Sequence, residues 1–414
     1  MRKIWGYFFS LTLLGVGVGF GVGLFQRLVS WVVGWSQAFF AFSAPIPWLV
    51  FIVAILLGLG AYWIGKVEPS AKGSGVPFLE HSLEEHLPFR YWRTLPMMLL
   101  NCFLSFFGGL PLGSEGPSVL TGGILGMALN DWRQESNSDW VAMGAAAGFG
   151  SAFLSPLAGW VYCIEETLES FRWRVALQMA YVALISWCAA LLIAPPLHFS
   201  FSMVGPFTYE EIPLLIAIIL GSILLGRVFV FVLLYVRDWQ ASHWKEGSRW
   251  IALLVVFVVS GLIALFSPSI GGSGGSLWLL FQDMPSLGIL VIFLLVRLGM
   301  IVFTANSGAA GGLVFPIFSL GLLYGLVLLE VSKGWFGYGG EQSSMILLLS
   351  MVGIYAVVTK TPWTAAALAI TFVPSWYAIV PILFVMMLIA FFDRKTHTRC
   401  LYDELKARMS THGD

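Results

Sequence analysis

The feature that most constrains this chain is an alternation of long apolar runs with shorter apolar pieces that glycine and proline interrupt. A helix needs about twenty apolar residues to cross the hydrocarbon core of a bilayer. With 58% hydrophobic and 11% charged residues, the chain is predicted to be an all-α integral membrane protein with a transporter-like interior of broken helices. The long runs fall at about 4–40, 46–65, 94–112, 175–197, 211–236, 250–267, 286–304, 345–358 and 377–392, and the short pieces at about 117–130, 140–168, 309–329 and 363–373.

The ends of the chain and its charged segments predict the topology. The basic start is followed by about thirty apolar residues, which is too long for a signal peptide and favours a retained first spanning helix. Basic residues occur at this start, over about 237–249 and in the tail 393–414, so both termini are expected on the cytoplasmic side of the cell (inner) membrane. The tail leaves no room for a second domain, and residues 1–414 are predicted to form one multi-pass membrane domain.

Charge and reactive side chains argue against several classes of function. The formal net charge is zero, so no nucleic-acid partner is indicated. The four cysteines lack C-x-x-C spacing and no histidine pair has ligand spacing, so neither a metal nor another cofactor is expected. Histidines and acids at 80–86 are interpreted as a solvated loop. No histidine lies near a serine in an apolar run, and the chain is therefore predicted not to be an enzyme.

Three pairs of landmarks indicate an internal repeat. In two parts of the chain, a Gly-Ser-Gly motif is followed by another glycine 40 residues after the first glycine of the motif. We infer two homologous halves, about 30–200 and 210–390, with a binding site at the interface between them. The matched landmarks are 73–75 with 272–274, Pro117 with Pro316, and 155–158 with 361–364.

The segment 113–117, with the sequence Gly-Ser-Glu-Gly-Pro, places a carboxylate between two apolar runs. Pro117 suits the first turn of a helix, so a helix is predicted to begin here with its free N–H groups and positive dipole end near Glu115. A helix start of this kind is an anion site. Glu115 could simply cap the helix, but a carboxylate at membrane depth is costly and usually functional.

Three further segments are expected to converge on this point. Ser74, between two glycines, can donate its hydroxyl and lets backbone N–H groups approach a ligand. The amides of Val314 and Phe315 can approach it from the second half. Glu165 and Glu166 end an apolar piece and are either a surface terminus or an inner proton acceptor. Taken singly, the glycine-rich segments also fit an ordinary turn or a tight contact between helices.

Together, four ordered motifs resemble those of the CLC family of chloride channels and chloride/proton exchangers. Segments 73–77, 113–117 and 312–316 resemble the family's G-S-G-I-P, G-K/R-E-G-P and G-I-F-A-P motifs, and 156–166 resembles the segment that bears the exchangers' inner proton glutamate. The resemblance extends over nearly the whole chain. It implies a homodimer in the lipid bilayer, in which each subunit has its own pore between inverted-topology halves with many tilted and broken helices.

The resemblance also implies roles for individual residues. Glu115 would be the external gating glutamate, which competes with chloride when ionised and carries the proton when protonated. Glu166, with Glu165 beside it, would be the internal proton glutamate. The pore aromatic would lie at the start of the last apolar helix, at Trp376 or its neighbour Tyr377. The central chloride would be held by the hydroxyl of Ser74 and by groups of Gly75, Gly116, Val314 and Phe315.

The predicted function is a proton-coupled exchanger that moves chloride against protons. Amide and hydroxyl dipoles can replace the hydration of chloride, whereas a lysine or arginine in direct contact would hold the anion too tightly for fast turnover. Within the resemblance, Glu166 favours an exchanger over a passive chloride channel of the same fold. The serine at position 74 favours chloride over the remaining alternative, fluoride/proton exchange.

The chain departs from the family pattern at three places. Ser114 stands where a basic residue is usual, which is expected to lower the positive potential of the outer vestibule. Val314 and Phe315 reverse the usual order of an aromatic and a small residue. Trp376 would offer an indole N–H where the family has a phenol hydroxyl. If the inner chloride gate depends on that phenol, looser coupling is expected here.

Overall fold

A computed structural model of the chain describes residues 2–76, 90–134, 139–167, 172–196, 201, 212–244, 248–272, 277, 280, 284–336, 341–373, 375–394 and 400–412. The first predicted half contains α1 (Arg2–Ser43), α2 (Pro47–Val67), α3 (Tyr91–Phe107), α4 (Glu115–Arg133), α5 (Asp139–Ala152), α6 (Pro156–Tyr162) and α7 (Trp173–Leu191). The second contains α8 (Ile212–His243), α9 (Arg249–Phe266), α10 (Leu287–Ala305), α11 (Val314–Phe336), α12 (Glu341–Thr359), α13 (Pro362–Phe372) and α14 (Ile379–Arg394), and α15 (Leu401–His412) follows in the tail.

Seven helices within the described ranges are long and apolar enough to cross a membrane. They correspond to α1, α2, α7, α8, α10, α11 and the segment Trp376–Arg394, which contains α14. The short apolar piece at 309–329 becomes part of a spanning helix. Its glycines precede the helix, so α11 runs uninterrupted over 23 residues. By contrast, α6 and α13 have only 7 and 11 residues. The predicted all-α membrane fold with broken helices is confirmed.

Close backbone contact locks the two site-bearing helices to the helices that follow them. A methyl group at Gly122 of α4 would lie 2.0 Å from the carbonyl oxygen of Gly144 on α5. In the second half, a methyl group at Gly321 of α11 would lie 2.4 Å from the Cα of Met351 on α12. Small residues allow such approach, and the resulting packing holds helices together where lipid removes the hydrophobic driving force.

The two halves meet at the starts of their equivalent helices. An isolated antiparallel bridge joins Gly113, just before α4, to Gly312, just before α11. The short helices α6 and α13 also pack on each other. Both α4 and α11 begin at this meeting point and lead away from it. The two halves therefore run in opposite chain directions there, as inverted repeats do.

The tail helix α15 packs back onto the membrane domain. Its first two residues, Leu401 and Tyr402, are buried. Arg408 donates from Nε and Nη2 to the carboxylate of Asp238, at 2.8 and 3.1 Å, and these hydrogen bonds raise the pKa of Arg408. Asp238 itself lies on α8, which extends to His243, so the charged segment expected from residue 237 begins within a helix.

Candidate functional site

Glu115 is the first residue of α4 and its side chain is 1% exposed. The helix begins here because Gly113 and Ser114 end the preceding turn, and Pro117 needs no N–H partner in the first helical turn. The predicted helix start at membrane depth is thus present. A buried carboxylate requires either compensating hydrogen bonds or a proton.

The carboxylate of Glu115 reaches across to the start of the opposite helix. Its Oε1 accepts hydrogen bonds from the backbone N–H groups of Val314, at 2.5 Å, and Phe315, at 3.3 Å. These amides belong to the first turn of α11, whose positive dipole end favours an anion. The second oxygen, Oε2, is buried and has no hydrogen-bond partner. The side chain therefore lies between two helix starts and does not cap its own helix.

Backbone hydrogen bonds hold the glycine-rich segments around this carboxylate. Gly113 and Gly312 exchange N–H···O bonds of 2.9 and 2.6 Å, and the N–H of Gly311 donates to the carbonyl of Gly73 at 2.9 Å. Three of the predicted motif segments are consequently tied together without side chains. At Gly311, a methyl group would lie 2.6 Å from the side chain of Leu112, so the approach is close there.

Ser74 reaches the same place from the first half. It is 9% exposed, and its carbonyl oxygen would lie 2.5 Å from a methyl group added at Gly116. Gly75 faces the apolar side, since a methyl group there would lie 2.8 Å from Leu120. The structure brings Ser74, Glu115 and Gly116 together with the α11 amides. Pro77, which ends this motif, lies outside the described residues.

Trp376 and Tyr377, the predicted pore aromatics, lie at the surface of the described fold. Both lie in a short 3-10 turn before α14, their rings stack at a centroid distance of 3.8 Å, and their exposed fractions are 71% and 41%. A surface pair of this kind does not line a buried site. The prediction assumed that the pore aromatic lies at the start of the last apolar helix.

Tyr402, at the start of α15, is a buried aromatic that the sequence did not single out. It is 6% exposed and lies two residues after Cys400, whose sulfur is 3.9 Å from Oε1 of Glu166. Sequence reasoning missed this residue because it placed the pore aromatic at the start of the last apolar helix. The available signal was the pair of apolar residues, Leu401 and Tyr402, that opens an otherwise polar helix.

The adjacent acids Glu165 and Glu166 have different surroundings. Glu165 accepts hydrogen bonds from the N–H of Trp363, at 3.1 Å, and from the N–H and hydroxyl of Thr364, at 2.7 and 2.8 Å. It thus caps the start of α13, which is a structural role. Glu166 instead lies against the start of the tail, where its Oε1 is 3.9 Å from the sulfur of Cys400.

Ser114, the neutral residue beside Glu115, makes a contact that the sequence did not indicate. It is 5% exposed, and its hydroxyl donates to Oε1 of Gln26 on α1 at 2.9 Å. The outer side of the site is therefore lined by an amide and a hydroxyl at this position. Within the described ranges, no group of three or more histidine, cysteine or acidic residues could hold a metal ion.

The fold and the site define a multi-pass membrane protein with an anion site between two helix starts. Residues 60–393 match the family model described as voltage gated chloride channel. The chain belongs to this family. The H(+)/Cl(−) exchange transporter ClcA of Cronobacter sakazakii is 30% identical over 390 residues, which cover 90% of this chain and 83% of that protein. ClcA of Salmonella typhimurium is 29% identical over 399 residues, which cover 91% and 82%.

Solved structures show the same fold. The X-ray crystal structure of a slow cyanobacterial Cl−/H+ antiporter superposes with a TM-score of 0.88 at 21% identity, and the match covers 98% of each chain. The crystal structure of a CLC-type fluoride/proton antiporter superposes with a TM-score of 0.76 at 20% identity, and covers 96% of this chain and 98% of that one. At these identities the likeness concerns the fold alone.

Proposed function

We propose that this chain is a proton-coupled exchanger that moves chloride against protons across the membrane. The observation that carries the proposal is the position of Glu115, whose carboxylate accepts hydrogen bonds from the α11 amides of Val314 and Phe315. A carboxylate held by backbone amides stands where a chloride ion would be held by the same groups. The ClcA relatives are named as H(+)/Cl(−) exchange transporters, which supports the same proposal.

Exchange follows from competition for this one position. An ionised Glu115 and a chloride ion both need the amide N–H groups, and two anions in contact repel each other. A protonated Glu115 is neutral, so its hydrogen bonds to the amides weaken and chloride displaces it. Each departure of the carboxylate therefore carries one proton, and each return expels an anion.

The remaining site residues are assigned by position. Ser74, Gly75 and Gly116 join Val314 and Phe315 as the groups around the central chloride. Tyr402 takes the role that the sequence gave to Trp376 or Tyr377.

Glu166 is assigned as the inner proton acceptor. The contact of its Oε1 with the sulfur of Cys400, two residues before Tyr402, supports the choice of Glu166 over Glu165, whose carboxylate caps α13. In this assignment, protons and chloride share the central site but reach the cell interior past different side chains.

We further propose that the protein is a homodimer in the cell inner membrane, with both termini in the cytoplasm. The helices α6 and α13 are too short to span a bilayer, and they expose Leu157 and Trp363 by 40% and 45%. Helix ends at membrane depth need protein cover, and a second copy would supply it. The site as assigned uses residues of one chain, so each subunit would transport independently and without a cofactor.

The proposal is tested by recording chloride efflux and external pH together, with purified protein in liposomes. We expect chloride efflux to drive proton uptake in the wild-type protein, and Glu115→Gln to move chloride without protons. Proton uptake by Glu115→Gln under a chloride gradient would exclude Glu115 as the proton carrier. Chloride flux without proton movement in the wild type would instead indicate a passive channel, and coupled flux with fluoride alone would indicate a fluoride/proton exchanger.

A further inference from the structure

Arg297 is a charged side chain buried in the middle of a membrane-spanning helix. It lies on α10 and is 0% exposed. Its Nε donates a hydrogen bond to the hydroxyl oxygen of Ser319 at 2.9 Å, and its Nη1 donates to the carbonyls of Ile270 and Gly272 at 2.8 and 2.7 Å. The other terminal nitrogen, Nη2, is buried and has no hydrogen-bond partner.

None of the partners of Arg297 carries a charge. In the part of the chain that the structure describes, the ion pairs join other residues, and no carboxylate is paired with this guanidinium. A guanidinium stays protonated in proteins, and a buried charge without a counter-ion is costly. Among the described residues, this positive charge therefore has no fixed negative partner.

The partners of Arg297 connect it to segments that lead to the site. Ser319 lies on α11, five residues after Val314, which places it about 7.5 Å along a helix that rises about 1.5 Å per residue. Gly272 donates its N–H to the carbonyl of Gly109 at 3.0 Å, in the turn that leads into α4. The guanidinium thus lies beside the first turns of α11.

We propose that Arg297 is the fixed counter-charge of the anion site and that it raises the affinity for the anion held between the starts of α4 and α11. The inference rests on the proposed function, in which that anion alternates between chloride and the Glu115 carboxylate. Arg297 is a positioning residue, because its hydrogen bonds go to protein groups and its charge acts on the anion from a distance.

The distance reconciles a positive charge with transport. A cation in contact with chloride would hold it too firmly, whereas a cation beyond the first helical turn leaves the amides as the only direct ligands. At about 10 Å and an effective dielectric constant of about 20, one unit charge changes anion affinity by roughly tenfold to twentyfold. That gain favours entry of the anion and still permits its release.

The test neutralises the charge without removing the arginine. Ser319→Asp places a carboxylate against Nε of Arg297, and Ser319→Asn has the same shape without the charge. We expect Ser319→Asp to bind chloride about tenfold more weakly than Ser319→Asn, as measured by isothermal titration calorimetry of detergent-purified protein. Equal affinities in the two variants, both folded by size-exclusion chromatography, would overturn the proposal.

A second pair of variants covers the case in which Ser319→Asp does not fold. Arg297→Lys keeps the charge and loses the guanidinium geometry, whereas Arg297→Gln loses the charge. We expect the lysine variant to bind chloride within about threefold of the wild type and the glutamine variant about tenfold more weakly. If both lose affinity equally, only the hydrogen-bond geometry of Arg297 matters, and the counter-charge proposal fails.

Running each titration with chloride, bromide and fluoride separates the two proposals. If another halide gives binding heat with the wild type and chloride does not, the chloride assignment fails. The comparison of Ser319→Asp with Ser319→Asn, made with that halide, then still tests the counter-charge proposal. If no halide binds the wild-type protein, both the anion site and its counter-charge are refuted.

Discussion

Replacement of Gly113 by alanine should remove the Glu115 carboxylate from the anion site. A methyl group at position 113 would lie 2.0 Å from Oε2 of Glu115, and 2.6 Å from both its Oε1 and its Cδ. These three nearest atoms all belong to the end of one rotatable side chain. Gly113 has no positive φ, so alanine suits its backbone, and its two hydrogen bonds with Gly312 involve only the backbone.

The expected size of the effect follows from what the carboxylate loses. Oε1 of Glu115 accepts hydrogen bonds from the amides of Val314 and Phe315. Hydrogen bonds to a charged group contribute about 1.5–3 kcal/mol each, so these two bonds favour the inward position by about 3–6 kcal/mol, and the methyl group would prevent both from forming. The inward position of Glu115 should then be depopulated by about 10²-fold or more.

Chloride binding and coupled transport report this displacement. With its competitor removed, chloride should bind Gly113→Ala at least about tenfold more tightly than the wild type in calorimetric titrations, approaching the affinity of Glu115→Ala. In liposomes, chloride efflux should continue while proton uptake falls, because the carboxylate no longer exchanges places with the anion.

The double variant Gly113→Ala with Glu115→Ala is the matched control. It lacks the atoms that the new methyl group would meet, so its chloride affinity should equal that of Glu115→Ala alone. A weaker affinity in the double variant would mean that the methyl group enters the anion site itself. Wild-type chloride affinity and intact coupling in Gly113→Ala would refute the reasoning, since Glu115 would then not compete with chloride from this position.

Two further pairs of variants separate residues that look alike in sequence. Glu165→Ala removes three hydrogen bonds at the start of α13 and should destabilise the protein by about 1–2 kcal/mol in thermal unfolding. Glu166→Gln should unfold like the wild type but stop proton flux. The reverse pattern would exchange the roles of the two acids. Tyr402→Phe should loosen the ratio of chloride to proton flux in liposomes, while the same change at Tyr377, which is 41% exposed, should leave the ratio unchanged. Equal effects of the two tyrosine changes would remove Tyr402 from the site.

The central pairing was predictable because it depends on local chemistry. Glycine and proline around Glu115 require a helix start, and a helix start at membrane depth attracts an anion. The repeat then predicted an equivalent start at Val314, and the two do meet. The constant offset between the repeats predicts the second helix start because equivalent elements of homologous halves occupy equivalent positions.

The inner side of the site was predicted less well. Glu165 and Glu166 are adjacent, so only the direction in which each side chain leaves its turn separates a helix cap from a proton acceptor. Trp376 and Tyr377 were selected by counting along the chain, and they lie on the surface. Counting could not find Tyr402, which is buried at the start of α15, because that helix folds back from the tail.

The amino-acid sequence by itself determined the membrane class, the helix starts and the carboxylate at Glu115, since each depends on hydropathy or on backbone chemistry within a few residues. Only the tertiary structure decided that Tyr402 is buried at the start of α15, and that Arg297 lies beside α11 with no carboxylate among the described residues paired to it. A lone arginine in an apolar helix has the same sequence signature whether or not a carboxylate faces it. Its partners come from segments distant along the chain, and packing alone brings them together.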